Sequence, residues 1–155
     1  MRIFVCEFIT GGGWQDRELP ASLAHEGEMM LTVLLDDLQD AGYRDLVCTR
    51  DGRLTALPHD IDTVIPAANA WDTWESIMRE CDAAWIIAPE TDAVLFRLVQ
   101  LAEYCDCRII GCSAGTVRMA TSKQRTAGWL QKHHIPTEPV FNDPEQLSEN
   151  REGWI

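Results

Sequence analysis

Residues 2–8 read Arg-Ile-Phe-Val-Cys-Glu-Phe, a short apolar run with almost no polar alternation, and this constrains the fold more than any other feature. A strand with one solvated face alternates apolar and polar side chains, whereas a strand covered on both faces, as in a parallel sheet, reads as a nearly continuous apolar run. Similar runs return at 45–49, at 83–88 and at 108–112. Between them the period changes. From Pro20 to about Ala41, Leu23, Met30, Val33, Leu34 and Leu38 recur at helical spacing, with Pro20 suited to a first turn and Gly42 to a stop. Asp72 is placed to cap a helix to about Cys81 with Trp71, Trp74 and Met78 on one face, and Thr91 or Asp92 opens another to about Tyr104. Short extended pieces are expected at 54–57 and 63–66, with a turn at Arg50-Asp51-Gly52.

Strands alternating with helices imply crossover connections, so the expected fold is α/β, an open, mostly parallel sheet with helices on both faces, Rossmann-like in the broad sense. Beyond it, Ser113 and Ser122 cap two short helices, Asn142-Asp143-Pro144-Glu145 starts a third, and Gly153-Trp154-Ile155 looks like the entry to a further strand. The expected division is an α/β domain over 1–115 and a helical region over 116–155.

Asp and Glu number 25 against 13 Lys and Arg, a formal charge of -12, which repels phosphate backbones and anionic membrane surfaces and argues against nucleic-acid or membrane partners. The first apolar run is broken by Glu7 and followed by glycines, the reading of a strand and not of a signal peptide. Six cysteines without a CxxC pair suggest reduced thiols and a cytoplasmic setting. Cys105, Cys107 and Cys112 lie close together, but no histidine accompanies them, so no metal is assigned there.

In open α/β sheets ligands bind beyond the carboxyl ends of the strands. Three loops qualify. In Glu7-Phe8-Ile9-Thr10-Gly11-Gly12-Gly13, glycines allow close approach of a ligand to the backbone, and a plain turn is the competing reading. The loop lacks GxGxxG, which weakens a NAD-type dehydrogenase. In Ile87-Ala88-Pro89-Glu90-Thr91-Asp92, Asp92 reads as a helix cap and Glu90 as a ligand for an amine or hydroxyl group. In Gly111-Cys112-Ser113-Ala114-Gly115 the final glycine comes one residue too early for a nucleophile elbow, so Ser113 reads as a cap with a donor facing the cleft. Glu26 lies near a helix start, turned back toward the glycine loop, and His25-Glu26-Gly27-Glu28 is not an HExxH site. No catalytic residue is identified. Five tryptophans, 14, 71, 74, 129 and 154, keep open a second class of function, a non-catalytic small-molecule or partner-binding module complete in itself.

Segments 7–13, 23–30 and 88–92, with Ser122-Lys123, Leu130 and Ile135-Pro136-Thr137 after them, together resemble the N-terminal portion of an ATP-grasp ligase, closest in look to the tyramine-glutamate ligase type. The resemblance implies a pre-ATP-grasp domain followed by the start of a nucleotide-binding region, so that the chain is expected to be the front of a longer enzyme. It also implies a carboxylate activated by ATP as an acylphosphate and captured by an amine, in synthesis of a methanofuran-like cofactor. ATP and magnesium are implied for the whole enzyme, with neither site complete in this chain. Lys123 resembles the first of two phosphate-contacting lysines, a task suited to a compact, mobile ammonium. Substrate contacts would come from Gly11, Gly12, Gly13, Glu26, Glu90 and Ser113, and the partners expected are a small carboxylate and an amine, with a homodimer left open.

Overall fold

A computed structural model describes residues 1–138 and 140–141. Five strands, β1 (Ile3–Glu7), β2 (Leu46–Thr49), β3 (Asp62–Val64), β4 (Ala83–Ile87) and β5 (Arg108–Ile109), form one sheet. All four pairings are parallel, in the order β3-β2-β1-β4-β5. The helices are α1 (Ala21–Asp40), α2 (Ala70–Glu80), α3 (Val94–Tyr104), α4 (Ala114–Ala120) and α5 (Lys123–Lys132), with a 3₁₀ turn at Thr91–Ala93 before α3. The fold is thus the α/β parallel sheet expected, and its pieces at 54–57 are the exception, since no strand forms there.

Alternate residues of β1 show why the run is apolar throughout. Ile3 and Val5 pack with Leu31, Leu35 and Leu38 of α1 on one side of the sheet. Phe4 and Cys6 pack with Trp74 and Met78 of α2 and Leu98 and Ala102 of α3 on the other. The chain divides into two compact units, residues 1–117 and residues 118–155. In the second, Ser122 caps α5 by accepting from Arg125 N at 3.3 Å, and Thr126 Oγ1 donates to the Met119 carbonyl at 3.2 Å. The expected helix start at 142–145 and strand entry at 153–155 lie outside the described residues.

Helix ends follow local chemistry. Pro20 occupies the N-cap position of α1 in an extended conformation, and after Ala41 the chain turns through Gly42 at φ 92°. Tyr43 N then donates to Leu38 O and Gly42 N to Gln39 O, both at 3.0 Å, the two bonds of a Schellman stop. The same pair of bonds ends α3, where Cys107 N reaches Ala102 O and Asp106 N reaches Glu103 O across a left-handed Asp106. Two expected caps are corrected. Asn69, not Asp72, caps α2, its side chain accepting from Trp71 N at 3.1 Å. Asp92 caps nothing, because the chain leaves Pro89 through a 3₁₀ turn in which Asp92 and Ala93 are both left-handed.

The buried face of α1 is Ala24, Gly27, Leu31, Leu35 and Leu38, rotated from the expected one, and Met30 and Val33 are exposed. Apolar side chains cover most of this helix's circumference, so their spacing does not select one face. Small residues decide: Ala24 and Gly27 let α1 lie close to the end of β1, and a Cβ at Gly27 would sit 2.6 Å from a Glu7 carboxylate oxygen.

Five of the six cysteines are buried, and Cys112 is exposed. Burial pushes the Cys48 thiol up to about 11, and burial with neighbouring Cys81 and Cys105 does the same for Cys107. Both are acids whose folded pKa lies above the ordinary thiol value of 9.0, so the stability they contribute is present below that value and lost as pH rises through about 11. We expect the urea midpoint to fall between about pH 9 and 11, and to fall less in a Cys48→Ala/Cys107→Ala variant. An identical fall in both proteins would remove these two thiols as its cause.

Candidate functional site

Strand order reverses between β1 and β4, because α1 leads from β1 to one side of the sheet while α2 and α3 lead to β4 and β5 on the other. In such sheets the crevice beyond the carboxyl ends of those two strands is where ligands bind. Here it holds Glu7 with the loop after it, and Ile87-Ala88-Pro89 with the turn after that.

Glu7 is 2% exposed. Its carboxylate accepts from Ile9 N at 3.1 Å and from both Thr10 N and Thr10 Oγ1 at 2.6 Å. These bonds curl the chain back on the strand it has just left, and the glycines complete the curl. Gly11 N donates to Glu7 O and Gly13 N to Phe8 O, at 2.9 and 2.8 Å, so these two amides are engaged within the loop. A Cβ at Gly11 would meet the Glu7 carbonyl and Thr49 Oγ1, and one at Gly13 would lie 2.5 Å from the Phe8 ring. Gly12, at φ 100°, supplies the backbone conformation that other residues resist.

The loop is fastened from β2. Asp51 N donates to Thr10 O at 2.6 Å, and the Asp51 carboxylate, 3% exposed, receives Arg53 through Nε and Nη2. Arg53 in turn donates to Arg17 O at 2.7 Å and Trp14 O at 2.8 Å, so one guanidinium ties the far end of the loop to the sheet. Hydrogen bonding to Arg53 holds the Asp51 carboxyl below its ordinary range.

Two cavities result, and Trp14 lines both. The first, about 470 Å³, is lined by Gly12 and Gly13, the α2 N-terminus at Asn69 and Ala70, and Asp92. Two guanidiniums also line it, Arg17 over the Trp14 ring at 5.5 Å and Arg97 over Trp71 at 4.4 Å. Stacking on an indole leaves the planar N–H edge of Arg97 open to an anion, while Arg17 Nε already faces Asp16 Oδ1 at 3.6 Å. The second, about 370 Å³, is lined by Glu7, Glu26 and Gly27 with apolar side chains from β4 and α1. The first cavity thus mixes Arg17 and Arg97 with the carboxylates of Asp16 and Asp92, whereas the charged residues lining the second are the carboxylates Glu7 and Glu26.

Of the residues expected from sequence, Gly12 and Gly13 line the first cavity and Glu26 the second, while Gly11 is buried beneath the loop. Glu90 is exposed and lines neither. Ser113 is exposed and lines neither cavity; its Oγ accepts from Thr116 N at 3.4 Å and bonds Thr116 Oγ1 at 3.1 Å, at the start of α4. Lys123 belongs to the second unit, exposed at the first position of α5. Sequence reasoning passed over Glu7, although a carboxylate closing a buried strand was a readable signal. Arg17 and Arg97 carried none, since their meeting with Trp14 and Trp71 depends on α2 and α3 folding against the loop.

A doubly wound sheet with cavities at its switch point is the arrangement in which open α/β domains place their ligands. Residues 44–117 match the family model described as pre ATP-grasp 3 domain, just under half of the chain, and the match stops where the first compact unit stops. That segment is similar to the front domain of an ATP-grasp ligase; β1, the glycine loop and α1 lie outside the match. No curated protein and no solved structure matches the chain.

Among the described residues no three His, Cys, Asp or Glu side chains converge as a metal site, and Lys123, the residue for which the ATP-grasp resemblance implies a phosphate contact, lies outside the family match. These residues do not by themselves fit ATP or magnesium, so no step through either is derived from them.

Proposed function

We propose that this chain is the substrate-binding front domain of an ATP-dependent carboxylate-amine ligase. The observation that carries the reading is the pair of cavities sharing Trp14 at the switch point, one holding arginines among mixed charges and one whose charged residues are carboxylates alone, within a domain whose segment 44–117 is similar to the pre ATP-grasp 3 family. Joining an acid to an amine requires holding both in fixed geometry, and such positioning is worth several kcal/mol of barrier without a nucleophilic side chain. The first cavity suits the carboxylate through Arg97 and the α2 N-terminus, with Arg17 beside them paired to Asp16. ATP and magnesium, supplied by the rest of the enzyme, would activate that carboxylate as an acylphosphate. The narrower reading, an amine joined to glutamate in synthesis of a methanofuran-like cofactor, rests on the resemblance of segments 7–13, 23–30 and 88–92 to the tyramine-glutamate type.

The enzyme carrying this chain, given ATP, magnesium, a panel of amino and dicarboxylic acids and hydroxylamine, is expected to form a hydroxamate with at least one acid. Failure with every acid, in a protein that binds ATP, would remove the acylphosphate route. Lys123 occupies the first position of α5, where the helix dipole disfavours a cation, so its charge brings the helix no local benefit. Lys123→Ala in that enzyme is expected to weaken ATP binding about tenfold, the loss of one charge-assisted hydrogen bond, with unchanged thermal stability. Unchanged affinity by calorimetry would take Lys123 out of the site.

A further inference from the structure

Glu7 carries the feature that the ligase reading leaves unexplained. Its carboxylate is buried, its three donors are all neutral, and among the described residues no Lys, Arg or His lies within salt-bridge distance. A buried anion without a countercharge is costly, and a cation delivered to it gains more than the same cation at the surface. Glu7 is among the residues lining the second cavity, at whose side Glu26, an exposed carboxylate one turn from the start of α1, supplies a second negative charge. Apart from Thr91, the remaining walls are apolar, among them Ile9, Trp14, Leu23, Met30, Ile87 and Pro89.

We propose that this cavity binds a small organic amine as its ammonium ion, the charge against Glu7 and Glu26 and the apolar body against Trp14, Leu23 and Ile87; as the place of the amine substrate, the assignment rests on the ligase reading. The walls select among cations. Magnesium or calcium requires about six oxygen ligands, and apolar walls beside two carboxylates do not furnish them. A quaternary ammonium is held by several aromatic faces, and Trp14 is the one aromatic side chain lining this cavity. A primary ammonium has three N–H donors for the two carboxylates, and its carbon skeleton fills the rest. A volume near 370 Å³ admits a body of benzyl or hexyl size. Glu90, the carboxylate expected for this task, is not needed, since Glu7 provides a buried one at the same sheet edge.

Titration of this chain with benzylamine, benzyl alcohol and benzoate, without nucleotide, tests the assignment. Benzylamine is expected to bind at least tenfold more tightly than the alcohol, and benzoate not at all in this cavity. In amide NMR spectra Ile9 and Thr10, whose N–H groups donate to Glu7, are expected to shift further at saturation with benzylamine than with benzyl alcohol. Glu26→Gln, on an exposed helix position, is expected to keep the fold and weaken benzylamine about threefold while leaving benzyl alcohol unchanged. Glu7→Gln is expected to cost at least tenfold; should it unfold the chain, the Glu26 variant and the two amide shifts carry the test. Equal binding of amine and alcohol, or Ile9 and Thr10 amides that stay still at saturation, would overturn the proposal. Because no ATP is present, that outcome leaves the ligase reading to the hydroxamate assay, and a negative hydroxamate assay leaves this cavity's chemistry standing.

Discussion

Trp74→Ala is expected to lower the unfolding free energy by about 4 kcal/mol, measured by urea denaturation. Trp74 is fully buried, and its ring packs at 5.7 Å from Phe8 and 5.3 Å from Trp71. It therefore joins the loop after β1 to the helix that backs the first cavity. Alanine leaves a hole where the sheet, α2 and that loop meet, and the neighbours include backbone already drawn tight around Gly11 and Gly13, which restricts collapse. The indole also donates from Nε1 to Thr49 Oγ1 at 2.9 Å, directly beneath Gly11. Trp74→Phe separates the two contributions: it keeps most of the apolar volume and loses the hydrogen bond, for an expected cost of about 1–2 kcal/mol. A loss below about 2 kcal/mol for alanine would mean that the loop is free to fall into the space, and that the cavity walls are not set by Trp74.

Much of the architecture was legible because parallel strands covered on both faces cannot alternate. Residues 2–8, 45–49, 83–88 and 108–112 each mark a strand in the sheet for that reason. Helix ends were legible where one residue determines the turn, as Gly42 does, and illegible where two neighbours compete, as Asn69 and Asp72 do at α2. The face of α1 was illegible because Met30 and Val33 are as apolar as Leu31 and Leu35, and the choice between them was made by the small residues Ala24 and Gly27 against Glu7. The site divides along the same line. Position at the carboxyl edge could be inferred from the loops that follow β1 and β4, and it singled out Gly12, Gly13 and Glu26, which line the cavities. Which charged groups face them depends on how far each side chain is carried past that edge. Glu90 lies beyond Pro89 in a turn that carries it to solvent, whereas Glu7 is held inward by amides only two and three residues on.

Arg50 reads from sequence as a turn residue and Glu28 as part of a helical segment that is not an HExxH site, yet together they should give the second large effect, and an asymmetric one. Arg50 is 2% exposed and receives both Glu28 oxygens on Nη2, at 3.0 and 2.8 Å, while its Nε donates to Thr55 O at 2.9 Å. Its Nη1 is buried without a partner. The Glu28 side chain is 33% exposed. Removing the acid strands a buried guanidinium with one neutral acceptor, whereas removing the base leaves a carboxylate that still reaches water. Breaking a buried pair costs about 3–5 kcal/mol when the charge left behind is enclosed, and less when it is not. We therefore expect Glu28→Ala to lower stability by about 3 kcal/mol and Arg50→Met by about 2 kcal/mol, the methionine recovering part of the lost packing. The double variant is expected to lie closer to Arg50→Met than to the sum of the two, since no unpaired buried charge remains in it. Equal losses for the two single variants, or full additivity in the double, would show that each side chain acts through its own packing and that the ion pair does not fasten α1 to the end of β2.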